Sequence, residues 1–369
     1  MRKGWEYKKL NEVCEKGASN IVINKLTDNS GEYPLFGASG LVKNIDFFHQ
    51  DKPYIGIVKD GAGVGRVNIY PAYSSLVGTM QYIFPKEGYS IDFIKYFLVK
   101  LDLSHCVSGA TIPHIYFKDY GKENIPTPSL DTQLAIVSEL DKINELIRLK
   151  KEQLKDFDNL AQSLFYEMFG DPVENEKGWE VKKLGEICTD ITDGDHMPPP
   201  KSESGIPFIT ISDIDKDTRC LNFENTFYVP EDYYNNLKEN RKPQKGDLLY
   251  TVTGSYGIPV IVKTDKKFCF QRHIALLRPN KEILSTIFLC YWVLSDGVKF
   301  MADKVATGIA QKTVGLNSIR KFSCILPPLP LQQLFAQHIE QIEREKSEVQ
   351  KSIQDLETLL ASRMQYWFE

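Results

Sequence analysis

Two glycine-rich turns are the first stretches of this sequence whose residue types could bind a ligand. Gly61-Ala62-Gly63-Val64-Gly65-Arg66 follows an apolar run at 54–58, and Thr253-Gly254-Ser255-Tyr256-Gly257 follows a similar run at 248–252. Glycine lets the backbone approach a partner closely, and phosphate is one possible partner. The first turn has neither G-x-G-x-x-G spacing nor a following G-K-[ST], which disfavours a nucleotide site. A phosphate-contacting turn and a plain β-hairpin both remain open.

A polar loop also recurs late in each half of the chain. Residues 108–114 read SGATIPH, and residues 306–312 read ATGIAQK. Thr, His and Lys side chains can donate hydrogen bonds to phosphate oxygens or to base edges. Contact with nucleic acid is one interpretation of these loops, and a solvated loop is the other.

Metal or catalytic chemistry finds less support. Asp193-Gly194-Asp195-His196 offers oxygen and nitrogen ligands, but a single His followed by Met197 and three prolines is more typical of a turn than of a ligand set. The six histidines show no i, i+4 pairing, and no Ser/His/Asp set is evident. The sequence therefore predicts no catalytic, metal-binding or cofactor-binding residue.

Two long helices must position these turns and loops. Each follows a proline-rich approach and then runs about forty residues without Gly or Pro, or roughly 58 Å of helix. Apolar residues step by fours and threes, which predicts a coiled-coil seam with Lys150, Lys346 and Arg363 as polar interruptions. The seam residues are Ile136, Leu140, Ile143, Ile147, Leu154, Phe157, Ala161, Leu164 and Met168 in the first helix, and Phe335, Ile339, Ile342, Val349, Ile353, Leu356, Leu360 and Trp367 in the second.

The chain repeats itself beyond the helices. The stretch from Gly4 to Cys14 is echoed by the stretch from Gly178 to Cys188, so we expect both cysteines to be buried packing residues. The offset is 174 residues there and 200 at the helices if Gln133 is aligned with Gln333, which makes the second lobe 26 residues longer. Similar ends around different middles predict a duplicated unit with pseudo-twofold symmetry.

Each lobe has the pattern of a mixed α+β domain. Strands are predicted at 54–58, 248–252 and 260–262, and one amphipathic helix per lobe at 91–101 and 285–301. The linker 170–178 ends the first long helix with a Gly and a Pro. The predicted domains are a first lobe at 1–128, a first long helix at 129–171, a second lobe at 172–328 and a second long helix at 329–369.

Composition narrows the class of protein. No apolar run approaches the ~18 residues of a membrane span, and the N-terminus lacks an apolar signal-peptide core. Seven cysteines without a CxxC pair favour a reduced, cytoplasmic protein. The net charge is −4, yet the lobes carry +2 and +1 while the helical segments carry −4 and −3. This distribution permits DNA binding by the lobes, with the helices as an acidic spacer.

The ordered motifs resemble the specificity subunit of type I restriction-modification systems over essentially the whole chain. The first lobe has G-W-E-x-x-K-L, then 33–40, then the turn at 60–65. The second has the same opening, then 192–198, 205–209 and 246–250. Each lobe closes on the proline-rich approach and a glutamine. Any one motif is weak, but their order recurs in both halves.

The resemblance implies two target-recognition domains separated by two antiparallel helices. Each domain would read one half of a bipartite, asymmetric target in double-stranded DNA, and the helices would set the unread gap. The subunit would itself be non-catalytic; methyltransferase subunits and a restriction/translocase subunit would dock on it. S-adenosylmethionine and ATP are then expected on those partners, with none in this chain. The sequence agrees in having neither an N/D-P-P-Y/F nor a Walker A motif.

Eleven residues in or beside the turns and loops are predicted to contact DNA. They are Lys59, Arg66, Thr111, His114 and Lys118 in the first lobe, and Thr253, Ser255, Tyr256, Arg272, His273 and Lys312 in the second. Two alternatives stay open. The chain could be a specificity module of a differently organised restriction-modification enzyme, or a non-catalytic coiled-coil scaffold whose lobes bind protein or glycan.

Overall fold

A computed structural model describes residues 5–26, 29–109, 111–195, 198–308 and 311–369. The chain divides into two units, Met1–Glu152 with Gln350–Glu369, and Gln153–Val349. Each unit contains one mixed α+β lobe and a portion of both long helices, which confirms the predicted fold class. Within the described ranges, no helix is both long and apolar enough to cross a membrane.

The first lobe contains two main sheets. Its strands are β1 (Tyr7–Lys9), β2 (Cys14–Ala18), β3 (Tyr33–Gly37), β4 (Gly40–Ile45), β5 (Tyr54–Val58), β6 (Val67–Tyr70), β7 (Ser75–Leu76), β8 (Met80–Pro85) and β9 (Asn124–Pro126), and its helices are α1 (Leu10–Val13), α2 (Ile91–Leu101) and α3 (Phe117–Tyr120). One sheet is antiparallel with the order β2-β8-β5-β6. The other has the order β4-β3-β7, with β3 and β7 parallel. Strands β1 and β9 form a separate antiparallel pair.

Strand β5 is central because its side chains alternate between two cores. Ile55 and Ile57 pack in the cluster that contains α2, whereas Tyr54 and Val58 pack with residues of the smaller sheet. All five residues of the strand are buried. Successive side chains of a strand point to opposite faces, so a continuous apolar run fits a strand covered on both faces. The predicted bounds 54–58 are confirmed.

The second lobe repeats this topology. Its strands are β10 (Glu180–Lys183), β11 (Cys188–Asp193), β12 (Ile206–Ile209), β13 (Phe227–Val229), β14 (Leu248–Thr251), β15 (Pro259–Ile261), β16 (Cys269–Phe270), β17 (Ile274–Pro279) and β18 (Ser323–Leu326), and its helices are α5 (Leu184–Ile187), α6 (Glu231–Asn235), α7 (Thr286–Leu294), α8 (Asp296–Val305) and α9 (Leu316–Arg320). The sheet orders are β11-β17-β14-β15, β13-β12-β16 and β10-β18. Strands β12 and β16 are parallel, as β3 and β7 are. The predicted internal repeat is therefore present in the strand order.

The two lobes differ most in one connection. Only Ala38 and Ser39 join β3 to β4, whereas residues 210–226 join the corresponding strands β12 and β13. Most of the extra length of the second lobe lies in this connection. The sequence indicated a longer middle but did not place it.

The prediction of a single helix at 285–301 in the second lobe is wrong. The stretch 285–301 forms two helices, α7 and α8, separated at Ser295, whose backbone is extended at φ −64° and ψ 147°. The buried Ser295 hydroxyl donates to the Trp292 carbonyl at 2.7 Å, and serine competes for its own helix's backbone in this way. In the first lobe, α2 has the predicted bounds of 91–101.

The two long helices are α4 (Leu130–Phe169) and α10 (Leu329–Phe368), each of 40 residues. In the first unit they run antiparallel, since Glu139 pairs with Arg363 at 3.1 Å while the later Lys151 pairs with the earlier Glu357 at 2.8 Å. The hydrogen bonds from Arg363 lower the pKa of the Glu139 carboxyl. Arg363, predicted as a polar interruption of the seam, is thus paired across it.

In the second unit the same helices also run antiparallel. Lys346 Nζ lies 2.9 Å from Asp158 Oδ1, and Phe165 and Phe169 pack on Phe335 with ring centroids 5.8 and 5.3 Å apart. The seam prediction missed Phe165 and Phe169, which are both buried. They contact helix α7 as well as α10, so the apolar stripe is wider here than a coiled-coil seam.

A buried glutamine joins each long helix to its lobe. The Gln133 side chain accepts from Ser90 N at 2.9 Å and donates to the carbonyls of Gly88 and Pro128. Gln332 makes the same set of bonds in the second lobe, to Ser285 N and to the carbonyls of Ile283 and Pro327. The alignment of Gln133 with Gln333 is therefore wrong by one residue, and the second lobe is 25 rather than 26 residues longer. Because Gln332 and Gln333 are adjacent, the sequence alone does not show which of them is equivalent to Gln133.

The repeated cysteines behave as predicted. Cys14 and Cys188 are both buried at equivalent places, after α1 and α5. Burial raises the pKa of each thiol to about 12, so both stay protonated at neutral pH. They are packing residues.

The glutamine bonds give a test of the corrected register. Gln133→Ala and Gln332→Ala should each lower the free energy of unfolding by about 1–3 kcal/mol, because each leaves one backbone N–H and two carbonyls without a hydrogen-bond partner. Gln333→Ala is the matched control: its side chain is exposed, so the change should stay within about 0.5 kcal/mol. Urea denaturation followed by circular dichroism measures all three. A larger loss for Gln333→Ala than for Gln332→Ala would contradict the register.

Candidate nucleic-acid interface

The first glycine turn connects strands β5 and β6. Gly61, Gly63 and Gly65 have φ of +83°, +86° and +87°, which side-chain-bearing residues rarely adopt. A Cβ on Gly63 would lie 2.8 Å from the Arg66 guanidinium, which folds over the turn. The exposed Arg66 also reaches the Ala38 carbonyl at 3.4 Å. The turn leads into a strand and not into a helix, so it is a hairpin and not a nucleotide loop of the P-loop type.

The late polar loop of the first lobe is hydrogen-bonded to this turn. Gly61 N donates to Pro113 O at 3.0 Å, and Ile115 N donates to Lys59 O at 2.9 Å. Ser108 and His114 close the loop with two backbone bonds of 2.9 and 2.7 Å. Two stretches some fifty residues apart in sequence thus form one surface.

Four of the five residues predicted to contact DNA in the first lobe lie on this surface, and the fifth lies beside it. His114 Nδ1 is 2.8 Å from Asp60 Oδ1, and Lys59 Nζ is 3.6 Å from Asp60 Oδ2. Thr111 is exposed in the loop. Lys118, on α3, lies over the Tyr116 ring at 5.2 Å.

The second lobe repeats the backbone arrangement bond for bond. Gly254 N donates to Lys312 O at 3.0 Å, and Val314 N donates to Val252 O at 2.9 Å. Thr307 and Thr313 close the late loop with bonds of 3.0 and 2.8 Å. The turn and loop of the second lobe therefore correspond to those of the first.

Both late loops depend on a glycine at the same place. Gly109 and Gly308 have φ of +93° and +114°. A Cβ would lie 2.4 Å from the Ile112 carbonyl oxygen in one and 2.3 Å from that of Gln311 in the other. Neither position can carry a side chain without moving the loop.

The predicted residues of the second turn differ in exposure. Ser255 is exposed and its hydroxyl accepts from Lys216 Nζ at 3.2 Å. Thr253 is buried, with Thr313 Oγ1 at 3.2 Å. The Tyr256 hydroxyl donates to Asp303 on α8 at 2.5 Å. Thr253 and Tyr256 are thus placed to support the turn, while Ser255 presents its side chain outward. Lys312 is exposed in the late loop.

Arg272 and His273 complete this surface from the turn before β17. Val252 N donates to His273 O at 2.9 Å, which places that turn beside the glycine turn. Arg272 is exposed, and its Nε lies 3.3 Å from His273 Nε2. Burial and, after it, the neighbouring guanidinium lower the pKa of His273, so the imidazole is neutral at pH 7.

Sequence reasoning missed two residues here. In the first lobe, Lys59 N and Asp60 N both donate to Thr79 O, so Thr79 occupies the place of His273. Lys216 comes from the connection 210–226, where no motif marked it. Comparing the two lobes would have indicated Thr79; nothing in the sequence indicated Lys216.

The metal interpretation of 193–196 has no support in the described residues. Asp193 and Asp195 face Arg241, whose guanidinium nitrogens lie 3.5 and 3.8 Å away. The Tyr233 hydroxyl donates to Asp195 at 3.1 Å. An ion-pair cluster accounts for both carboxylates, and His196 lies outside the described residues.

Solved structures are similar over nearly the whole chain. The S subunit of a type I restriction-modification system from M. genitalium matches with a TM-score of 0.54 at 14% identity, covering 99% of this chain and 96% of that one. A chain from a structure on complex assembly and conformational transition of the type I R-M system matches with a TM-score of 0.62 at 19% identity, covering 99% and 97%. At these identities the likeness shows the fold.

Sequence relatives carry related names. The type I restriction enzyme MjaIX specificity subunit of Methanocaldococcus jannaschii is 21% identical, with 90% of this chain and 85% of that protein aligned. The StySPI specificity subunit of Salmonella potsdam is 22% identical over 76% of this chain and 64% of its own length. The family model of the type I restriction modification DNA specificity domain matches residues 2–156 and 176–358. With both halves matched, the chain belongs to the type I restriction-modification specificity family.

Proposed function

We propose that this chain reads a bipartite, asymmetric target in double-stranded DNA, one half with each lobe, as the specificity subunit of a type I restriction-modification complex. The observation that carries this proposal is the repeated pairing of a glycine turn with a late polar loop. Both lobes use the same backbone bonds, at Gly61 and at Gly254, to present that surface. Membership of the specificity family supports the same proposal.

The side chains on the two surfaces are unlike, which favours two different half-sites. The first surface offers Lys59, Arg66, Thr111 and His114. The second offers Lys216, Ser255, Arg272 and Lys312. Arg and Lys donate to guanine O6 and N7 or to phosphate, and hydroxyls bond to either bases or phosphates. One scaffold with two sets of donors fits an asymmetric target.

We further propose that methyltransferase subunits and a restriction/translocase subunit assemble on this chain. Exposed leucines on α4, Leu134, Leu146 and Leu149, offer apolar surface for such docking. S-adenosylmethionine and ATP would bind to those partners, and the methyltransferase would flip and methylate an adenine in each half-site. This chain's role is then to choose the sequence.

The proposed surfaces can be tested residue by residue. In the assembled methyltransferase complex, Lys312→Ala and Arg272→Ala should each weaken binding of the target DNA. Substitution of a residue that contacts a base should lower the binding free energy by about 1–3 kcal/mol and relax the sequence preference at one position of the target. Substitution of a residue that contacts phosphate should weaken binding to all sequences alike and lower the slope of log affinity against log salt by about 1. Competition binding at several salt concentrations separates the two outcomes.

Lys155→Ala is the matched control, an exposed lysine on the long helix α4. It should leave both target affinity and salt slope unchanged. The proposed surface would be rejected if Lys312→Ala and Arg272→Ala behaved like this control.

The two-half reading has its own test. Exchanging residues 15–125 for the corresponding lobe of a relative should change one half of the methylated motif and leave the other intact. Methylation mapping of cells that express the hybrid and its partner subunits reads out both halves at once. A change in both halves contradicts modular reading, and an active hybrid with an unchanged motif places recognition elsewhere.

The length of α4 and α10 is proposed to set the unread gap. Inserting a heptad after Leu154, and another in α10 between the positions that pair with Lys151 and Asp158, keeps the seam phase. Each helix lengthens by ~10 Å, about three base pairs of DNA. Methylation mapping should show a longer gap between unchanged half-sites. An active enzyme with the original gap would mean that the helices do not measure it.

A further inference from the structure

Three side chains with metal-binding atoms meet at one point of the first lobe. His105 and Cys106 end the 3-10 helix Leu103–Cys106, and Glu123 precedes strand β9. One nitrogen, one sulfur and one carboxylate oxygen from these residues all lie within 4.8 Å of one another. The proposed DNA-reading function uses none of them.

The imidazole is held in an orientation that suits a ligand. His105 Nδ1 lies 2.8 Å from the Asp102 carbonyl oxygen, so Nδ1 donates its proton there and, in the neutral imidazole, Nε2 carries the lone pair. Asp102 has φ +49°, and its carboxylate accepts from Ser104 N at 3.2 Å, which fixes the turn that aims this carbonyl. A metal-bound histidine usually donates its other ring N–H to a carboxylate, a backbone carbonyl or water, and the Asp102 carbonyl is such a partner.

The ligand atoms face one another in a way that favours a cation. His105 Nε2 lies 3.3 Å from Glu123 Oε1. In the neutral imidazole with its proton on Nδ1, Nε2 and Glu123 Oε1 are two acceptors that face each other, with the Cys106 sulfur beside them. A proton on Nε2 or a shared metal ion relieves that repulsion, and only the metal ion also engages the sulfur.

The fold does not need these residue types. In the second lobe the equivalent positions carry Lys304, Val305 and Phe322. One backbone bond is the same in both lobes, since Leu184 N donates to Phe322 O at 3.0 Å as Leu10 N donates to Glu123 O at 2.9 Å. Lys304 and Val305 end the α-helix α8, whereas His105 and Cys106 end a 3-10 helix. The repeat therefore does not require these residue types, although Cys106 also packs against the core of the first lobe.

We propose that His105, Cys106 and Glu123 bind one divalent transition-metal ion, with Zn²⁺ the best match. One nitrogen, one thiolate and one carboxylate suit Zn²⁺, whereas Mg²⁺ and Ca²⁺ prefer oxygen alone. A tetrahedral Zn²⁺ site needs ligand atoms ~3.3–3.8 Å apart, with water as the fourth ligand. Rotation of the accessible His105 and Glu123 side chains closes the remaining distance.

The position of the site suggests what the ion does. Cys106 is joined through Val107 to Ser108, where the late polar loop begins. A bound ion would link the start of that loop to Glu123 and strand β9. An effect of the ion on DNA contact rests on the proposed function, whereas metal binding itself does not.

Cobalt titration of the full-length, metal-free chain tests the site, because Co²⁺ bound to a thiolate gives a charge-transfer absorption that oxygen and nitrogen ligands do not. One equivalent of Co²⁺ should produce the band, and Zn²⁺ should abolish it. Cys106→Ser should remove the band. His105→Ala and Glu123→Gln should weaken Zn²⁺ binding by at least ~10–100-fold, the loss seen even for outer-shell partners.

Two further variants keep the test decisive. Cys106→Val places the residue of the second lobe at this position, so it should fold like the wild type without binding cobalt. Cys220→Ser removes an exposed thiol of the second lobe and should keep the band. Absence of a band in the wild type, or its survival in both Cys106 variants, overturns the proposal; so does its loss in Cys220→Ser.

Discussion

Backbone hydrogen bonds between a glycine turn and a distant loop are the constraint on which the proposed reading surface depends. Neither stretch has a core of its own, so each must satisfy its backbone groups with the other. Gly61 bonds to Pro113 and Gly254 to Lys312. Glycines at 109 and 308 let each loop bend back within reach. Without these bonds, the cationic and hydroxyl side chains would have no fixed spacing with which to read bases.

This arrangement separates the residues that support the turn from those proposed to contact DNA. Buried residues such as Thr253, together with the hydrogen-bonded Tyr256, hold the second turn, while exposed residues such as Ser255 and Lys312 face outward. The exposed side chains can change without disturbing the sheet beneath. Farther down, Gln133 and Gln332 tie each lobe to a long helix through the same three bonds. The duplicated scaffold therefore presents two surfaces with different side chains, which are the two surfaces proposed to contact DNA.

Sequence predicted the elements governed by local periodicity. The long helices and strand β5 were predictable because continuous apolar spacing specifies them. Features decided by tertiary contacts were not. Ser295 breaks a helix through its own hydroxyl, and Phe165 is buried because α7 and α10 both cover it. The choice between Gln332 and Gln333 depended on a hydrogen-bond register that no pattern records.

The candidate surface was also predictable only in its local parts. Glycine and polar residues indicated both turns and both late loops, but the hydrogen-bonded pairing of each turn with its loop depends on the strand topology. The direction of Tyr256 toward Asp303, and the approach of Lys216 to Ser255, arise from parts of the chain far apart in sequence. The net charge of the whole chain is negative and does not indicate DNA binding, because the acidic charge of the long helices outweighs the slightly basic charge of the lobes.

Hydrogen–deuterium exchange of the assembled complex, with and without its mapped target DNA, tests whether the glycine turns and late loops contact DNA. We expect DNA to slow exchange in peptides covering 59–66 and 108–114 of the first lobe and 253–257 and 306–313 of the second. Peptides covering the linker 170–178 should exchange at the same rate in both states. Slower exchange confined to other surfaces, with these four peptides unchanged, would mean that DNA binds elsewhere on the complex.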